Sequence, residues 1–251
     1  MERNLLLTIS YDGTPFSGWQ RQPGRSTVQG EIEKALSVLC AAQVKVDGTS
    51  RTDAGVHALG QRAGFSGGFA IPTGNIKFAL NNLLPGSIRI KKVEEKPEGF
   101  HARYDCKGKK YIYKIINSKE KDPFMRNFCY YVGDDLDAAA MRKAAEYIKG
   151  EHDFKCFQAA GGKKLETTVR TVTDIEIKEY DKCEHGREIE IHVSGDGFLY
   201  NMVRIIAGTL VDVGRGKIDP DGTKKIIEGR DRGNAGHTAP AGGLYLAEVY
   251  Y

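Results

Sequence analysis

Two stretches, 171-TVTDIEIKE-179 and 188-EIEIHV-193, alternate apolar and polar residues with a period of two. Ile175 and Ile177 in the first, and Ile189, Ile191 and Val193 in the second, fall on one face each, which is the pattern of half-buried strands. Their closeness in the chain predicts a hairpin, and hence an antiparallel pair. Outward from it, Lys110–Asn117 also alternates, with Tyr111, Tyr113 and Ile115 against Ile112, Lys114 and Ile116. Between these strands Leu136–Lys149 has helical spacing, with Leu136, Met141, Ala144, Ala145 and Ile148 inward and Gly150 as its stop. A helix over Leu199–Val213 and a strand over Leu244–Tyr250 follow.

The first part of the chain has a similar order. A strand over Asn4–Tyr11 leads into the turn Asp12-Gly13-Thr14-Pro15. A helix over Thr27–Cys40 comes next, with Ser26 or Thr27 as its cap. Strands are predicted at Lys45–Gly48, Gln61–Ser66 and Ile88–Glu94. A short helix over Asn75–Leu84 is stopped by Pro85. Strands joined by hairpins and single helices predict an α+β fold of two similar layered halves with largely antiparallel sheets flanked by helices. The crossing lies within Glu94–Gly108, giving residues 1–105 and 106–251 as the two halves. Their similarity is architectural, without a sequence repeat.

The composition is that of an ordinary globular protein, 40% hydrophobic and 28% charged over 251 residues. No apolar run reaches the roughly 20 residues that cross a bilayer, and no signal-peptide pattern is present, so the expectation is a cytoplasmic protein with no membrane partner. Five scattered cysteines without a CxxC argue against a disulfide framework or a structural zinc site. His152 and Cys156 are spaced for one helix face, but two ligands do not make a metal site. Net charge is only +4, yet His101–Tyr130 holds eight Lys/Arg against three acids, interleaved with Tyr104, Tyr111, Tyr113 and Phe124. Such a stripe fits a phosphate backbone with exposed bases, and equally a solvated strand edge guarded by lysines.

The loop 48-GTSRTDAGVHA-58 has one carboxylate among small residues. Asp53 suits a turn, since aspartate bonds to nearby amides. Asp53 and His57 are spaced for one helix face, but Gly55 disfavours helix and no third ligand is local. After Asp53 no acid occurs until Glu94, so a paired-carboxylate hydrolase would need a distant partner. An aspartate in a glycine-rich loop, with Arg51 beside it to keep it anionic, fits use as a nucleophile.

That loop, as "SRTDAGVHA", resembles the catalytic loop of the tRNA pseudouridine synthase A family, and the resemblance covers nearly the whole chain. It includes "YDGTPFSGWQRQP" from Tyr11, "TVQGEIEKAL" from Thr27 and "NNLLP" from Asn81. It continues through "FHARYDCKGKKYIYKI" from Phe100, "HDFKCF" from His152, "GFLYNMVRIIAGTL" from Gly197 and "TAPAGGLYLAEVYY" from Thr238. Their order and spacing make the match specific. The insert Asp181–Gly186 and the basic run Lys224–Arg232 follow no family pattern.

The resemblance implies isomerisation of uridine to pseudouridine at positions 38, 39 and 40 of the tRNA anticodon arm, by a homodimer, in a cleft between the halves and with no cofactor. It implies Asp53 as the catalytic nucleophile, attacking either C6 of the base or C1′ of the ribose. Tyr111 matches a tyrosine that stacks on the target base, whereas Tyr113 reads as core. Arg204 matches the basic partner of the aspartate. On a helical wheel it lies roughly 200° from Met202, which by itself reads as surface, but Ala207 and Gly208 beside it are small enough to admit another element. Arg51 matches an arginine that fills the space of the flipped nucleotide, with tuning of Asp53 as the rival role. Leu244 matches an apolar contact beside the site. The alternative is a catalytically idle RNA-binding module, which would be free to lose Asp53, Tyr111 or Arg204.

Overall fold

The computed structural model describes residues 3–68, 71–162, 166–183 and 186–251. By packing, the chain forms two units, one of residues up to Lys107 together with Tyr245–Tyr251, the other of Gly108–Leu244. The division drawn from sequence at 105/106 thus differs by two residues, and the closing strand packs with the first unit.

The first unit is built on β1 (Arg3–Tyr11), which pairs antiparallel with β3 (His57–Gly67) on one side and β4 (Ile88–Lys96) on the other. Leu5, Leu6 and Leu7 are all fully buried, so this central strand is covered on both faces. The two-residue β2 (Asp47–Gly48) pairs with β3, and β10 (Leu244–Tyr250) runs parallel to β3, Tyr245 opposite His57. Helix α1 (Val28–Cys40) is capped by Thr27, whose Oγ1 accepts from the Gly30 amide, and buries Val28, Ile32, Ala35 and Leu36. Helix α2 (Thr73–Leu83) buries Ile76 and Leu80 and packs on β4.

The strand expected at Lys45–Gly48 shrinks to two residues, and side chains of α1 take one amide within it and one just before it. Ser37 Oγ accepts from the Val44 amide and the buried Glu33 from that of Val46. The strand expected at Gln61–Ser66 starts instead at His57, where β10 supplies a partner for its first residues.

In the second unit β5 (Gly108–Asn117), β9 (Gly186–Gly195), β8 (Val169–Cys183) and β7 (Gly150–Asp153) form an antiparallel series, with β6 (Tyr130–Val132) parallel to β5. Tyr111, Tyr113 and Ile115 sit opposite Val193, Ile191 and Ile189, and this apolar set makes one face. The other face pairs Ile112 with His192 and Lys114 with Glu190. Helix α3 (Ala138–Glu146) starts two residues later than expected because the Asp137 side chain caps it through the Ala140 amide. Helix α4 (Met202–Gly214) is buried along most of its length and begins after Asn201, whose left-handed backbone (φ 59°) breaks the earlier turn.

Three elements were not expected: β6, β7 and α5 (Gly222–Gly229). Helix α5 buries Thr223, Ile226 and Ile227, so the basic run Lys224–Arg232 is the outer side of an amphipathic helix and its exit. His152 lies in β7 and Cys156 in a 3-10 turn, so they share no helix face. Of the insert Asp181–Gly186, Glu184 and His185 lie outside the described residues.

Candidate active site

The Asp53 loop is held on both sides by bonds that its sequence alone does not announce. Thr49 Oγ1 lies within 3.0 Å of the Arg62 and Ala102 carbonyls and 2.9 Å from Tyr251 Oη. The fully buried Gln61 donates from Nε2 to the Ser50 carbonyl at 2.6 Å. Thr52 Oγ1 lies 2.7 Å from Tyr11 Oη, and the Thr52 carbonyl accepts from the Trp19 amide at 3.0 Å. Beyond Asp53 its own carbonyl accepts from Val56 N, closing a turn through Gly55 at φ 77°. Thr49, Ser50, Thr52, Val56 and His57 are buried, Asp53 is half-exposed, and Arg51 and Ala54 are exposed. The loop therefore fixes its neighbours and presents residues 51, 53 and 54.

Backbone crowding explains two glycines of "YDGTPFSGWQ". Gly18 has φ +91°, and a Cβ there would stand 2.6 Å from the Thr52 carbonyl oxygen. A Cβ on Gly13 would stand 2.0 Å from the Val56 carbonyl. His57, which sequence reading left without chemistry, is the anchor of this turn. Its Nδ1 accepts from the Gly13 amide at 3.1 Å and lies 3.2 Å from Asp12 Oδ1, while its ring stacks on Tyr245 at 4.8 Å.

The other three candidates lie in the second unit. Tyr111 is buried and meets Phe198 edge-on, with centroids 5.2 Å apart at 88°. Tyr113 is fully buried, donates to the Pro240 carbonyl at 2.8 Å, and burial pushes its phenol far above the usual range, so it stays protonated. Leu244 is buried at the start of β10, next to Gly243, where a Cβ would stand 2.7 Å from the Tyr113 ring.

Arg204 is half-buried rather than on the surface. Its Nε donates to the Ala239 carbonyl at 2.7 Å and its Nη1 to Asn201 Oδ1 at 2.9 Å. The small residues beside it do admit another element: a Cβ on Gly208 would stand 1.8 Å from the His237 carbonyl. Thr209 holds the same segment, accepting from the Gly236 amide at 2.9 Å. Segment 236–239 thus lies along α4 and aims the guanidinium.

The basic stripe of 101–130 is divided between the two units. Residues up to Lys107 belong to the first unit and the rest to the second. Lys114 is taken up by Glu190 at 2.7 Å and Glu188 at 3.3 Å, and Tyr111 and Tyr113 are buried. What stays exposed is Arg103, Tyr104 and Lys107 in one unit and Lys119, Lys121, Phe124 and Arg126 in the other.

Among the described residues no helix is long and apolar enough to cross a membrane, and no three His, Cys, Asp or Glu side chains gather as a metal site would require. The model of a family described as tRNA pseudouridine synthase matches residues 7–105 and 144–251. A protein of Ruminiclostridium cellulolyticum named tRNA pseudouridine synthase A is 53% identical over 249 residues, 99% of this chain and 100% of its own. Proteins of Clostridium tetani (tRNA pseudouridine synthase A 2) and Acetivibrio thermocellus (tRNA pseudouridine synthase A) are 48% and 49% identical, over 100% and 99% of this chain and the whole of their own lengths. With both units matched and the loop around Asp53 intact, this chain belongs to the tRNA pseudouridine synthase family.

Proposed function

We propose that this chain isomerises uridine to pseudouridine in tRNA, at positions 38, 39 and 40 of the anticodon arm, acting in the cytoplasm as a homodimer. The observation that carries the reading is the Asp53 loop. Its flanking residues are locked by Tyr11, Gln61 and the Trp19 amide while Asp53 stays accessible, which is how a reagent carboxylate must be held.

In the reaction the C1′–N1 bond breaks, the base turns while held, C1′ rejoins at C5, the C5 proton leaves and N1 takes up a proton. Atoms and electrons balance within the nucleotide, so neither water nor a group carrier is consumed. Asp53 acts as the nucleophile. Tyr111 supplies the ring on which the target base stacks, and Arg204, aimed by Ala239 and Asn201, supplies the cation for the carboxylate. The reading requires these residues, from the two units, to act on one uridine. A buried base must leave its stack at a cost of a few kcal/mol. The planar guanidinium of Arg51 offsets part of that by stacking in the vacated place, and Leu244 gives the base an apolar contact.

The test is incubation with unmodified tRNA, with pseudouridine mapped by position, for the wild-type chain and Asp53→Ala. Product at 38–40 with the wild type, and none with the variant while it still binds tRNA, is expected. Product elsewhere overturns the site assignment, and an active Asp53→Ala overturns the nucleophile.

A further inference from the structure

Arg232 ends the basic run Lys224–Arg232 and differs from the rest of it. Lys224, Lys225 and Arg230 are exposed, whereas Arg232 is half-buried. It opens a 3-10 turn, Arg232–Asn234, capped by Asp231, whose Oδ1 accepts from the Gly233 amide at 2.8 Å. That turn packs against the earlier 3-10 turn Phe154–Phe157, where Phe154, Cys156 and Phe157 are buried. Partial burial costs an arginine some of its hydration, so its donors need acceptors from the protein. The chain just ahead provides them. Nη1 donates to the Ala235 and Gly236 carbonyls at 3.3 and 2.9 Å, and Nη2 to Thr238 Oγ1 at 3.2 Å.

Residues 235–240 form neither helix nor strand, so no ladder meets their backbone groups and partners must be found singly. Arg204 holds the far end. The Ala239 amide donates to the Arg204 carbonyl at 3.1 Å, and the Ala239 carbonyl accepts from Arg204 Nε at 2.7 Å. No side chain cushions Gly236 against α4, since a Cβ there would stand 2.5 Å from Thr209 Cα. The segment is thus gripped by two arginines, Arg232 at one end and Arg204 at the other. Thr238, a partner of Arg232, immediately precedes Ala239, about 3.8 Å along the Cα trace. Slack at Arg232 therefore passes to the Ala239 carbonyl over a single residue.

We propose that Arg232 is a positioning residue for the reaction: its guanidinium clamps residues 235–238, keeps the Ala239 carbonyl on Arg204 Nε, and so fixes where Arg204 points. The planar fork matters, because an ammonium is a point charge and does not span two carbonyls and a hydroxyl in one fixed geometry. The clamp rests on the functional reading above only for what Arg204 does in the reaction.

The experiment uses the full chain and two readouts. One is single-turnover pseudouridine formation at saturating unmodified tRNA, with the dissociation constant; the other is amide hydrogen exchange without RNA. Arg232→Ala is expected to lower the saturated rate by roughly ten- to a hundredfold, the scale of a misplaced group, with binding within about twofold of wild type. Arg232→Lys falls between. In the Arg204→Lys background, which already lacks Nε, Arg232→Ala slows the reaction by no more than about twofold further, since residues acting through one contact are not additive. Exchange of the Gly236 and Ala239 amides rises by roughly tenfold in Arg232→Ala, while amides in the middle of α4 keep their protection and so verify folding. Thr238→Val leaves Arg232 in place, removes one partner, and shifts rate and exchange the same way by less. Lys225→Gln, in the same basic run, leaves rate and affinity unchanged.

An unchanged rate in Arg232→Ala, or a loss that multiplies fully with that of Arg204→Lys, overturns the proposal. So does weaker tRNA binding at an unchanged saturated rate, which would make Arg232 a phosphate contact. Should Arg232→Ala not fold, Thr238→Val carries the test, and an unchanged rate in it overturns the clamp. If wild type makes no pseudouridine, the functional reading fails and exchange alone decides: faster exchange at Gly236 and Ala239 sustains the clamp, and unchanged protection overturns it.

Discussion

The hydroxyl of Tyr11, at the end of β1, lies 2.7 Å from the hydroxyl of Thr52, and both side chains are buried. This bond joins the central strand of the first unit to the residue immediately before Asp53. Tyr11→Phe removes it and leaves Thr52 Oγ1 without that partner. The expected cost is about 1 kcal/mol of stability, read from urea unfolding. The single-turnover rate falls more than tRNA affinity, because the loss touches the placement of Asp53 and no surface that meets RNA. Equal losses in rate and affinity would count against a positioning role.

Gly208→Ala places a methyl group where the His237 carbonyl now sits, so α4 and segment 236–239 must part. Overpacking of this kind costs about 1–3 kcal/mol. The same parting takes the Ala239 carbonyl away from Arg204, so activity is expected to drop by roughly a hundredfold, the scale of a 1 Å misplacement. Gly229→Ala, in the same unit with open space around it, is the control and leaves both thermal stability and rate near wild type.

Arg204→Lys keeps the charge but loses the planar fork that bonds Ala239 and Asn201 at once. The expected outcome is a rate lower by tenfold or more, roughly the value of one charged hydrogen bond, with tRNA binding within twofold. A rate equal to wild type would show that charge alone suffices at this position.

The polar face of the second unit sets an acid limit. The Glu190 carboxyl is held down to about 2 from 4.5, chiefly by its hydrogen bond with His192 and then by Lys114, against the opposing effect of burial. A depressed carboxyl stabilises the fold above its unfolded value and loses that contribution as pH falls towards the folded one. Glu190→Gln is therefore expected to be less stable than wild type by on the order of 1–2 kcal/mol at pH 7. The gap shrinks between pH 4.5 and about 2. Denaturant midpoints measured across that window check it.

The α+β class and most elements were legible because strands of period two and helices of period 3.6 mark themselves locally. Thr27 as a cap and the small wall beside Arg204 could be read from neighbours in the chain, whereas only the family resemblance separated Tyr113 from Tyr111, and both are buried. Elements that depend on distant partners could not. Strand β3 extends back to His57, where β10 arrives beside it, and the Val46 amide is taken by Glu33 instead of a ladder. The roles of His57 and Gln61 were hidden for the same reason, since their partners are backbone groups of Gly13 and Ser50. The pairing of Lys114 within the basic stripe was hidden because charge counting along a strand ignores the acids opposite, here Glu188 and Glu190.

Strand β10 has a consequence for the order in which the protein comes into being. A ribosome delivers the Asp53 loop early and Tyr245 nearly two hundred residues later, yet Tyr245 stacks on His57 and pairs with it in the sheet. Closing so long a loop is slow compared with forming the β1–β3–β4 ladder. During synthesis the first unit therefore waits with one flank of β3 open, and the turn under Asp53 lacks its last brace until β10 has been made.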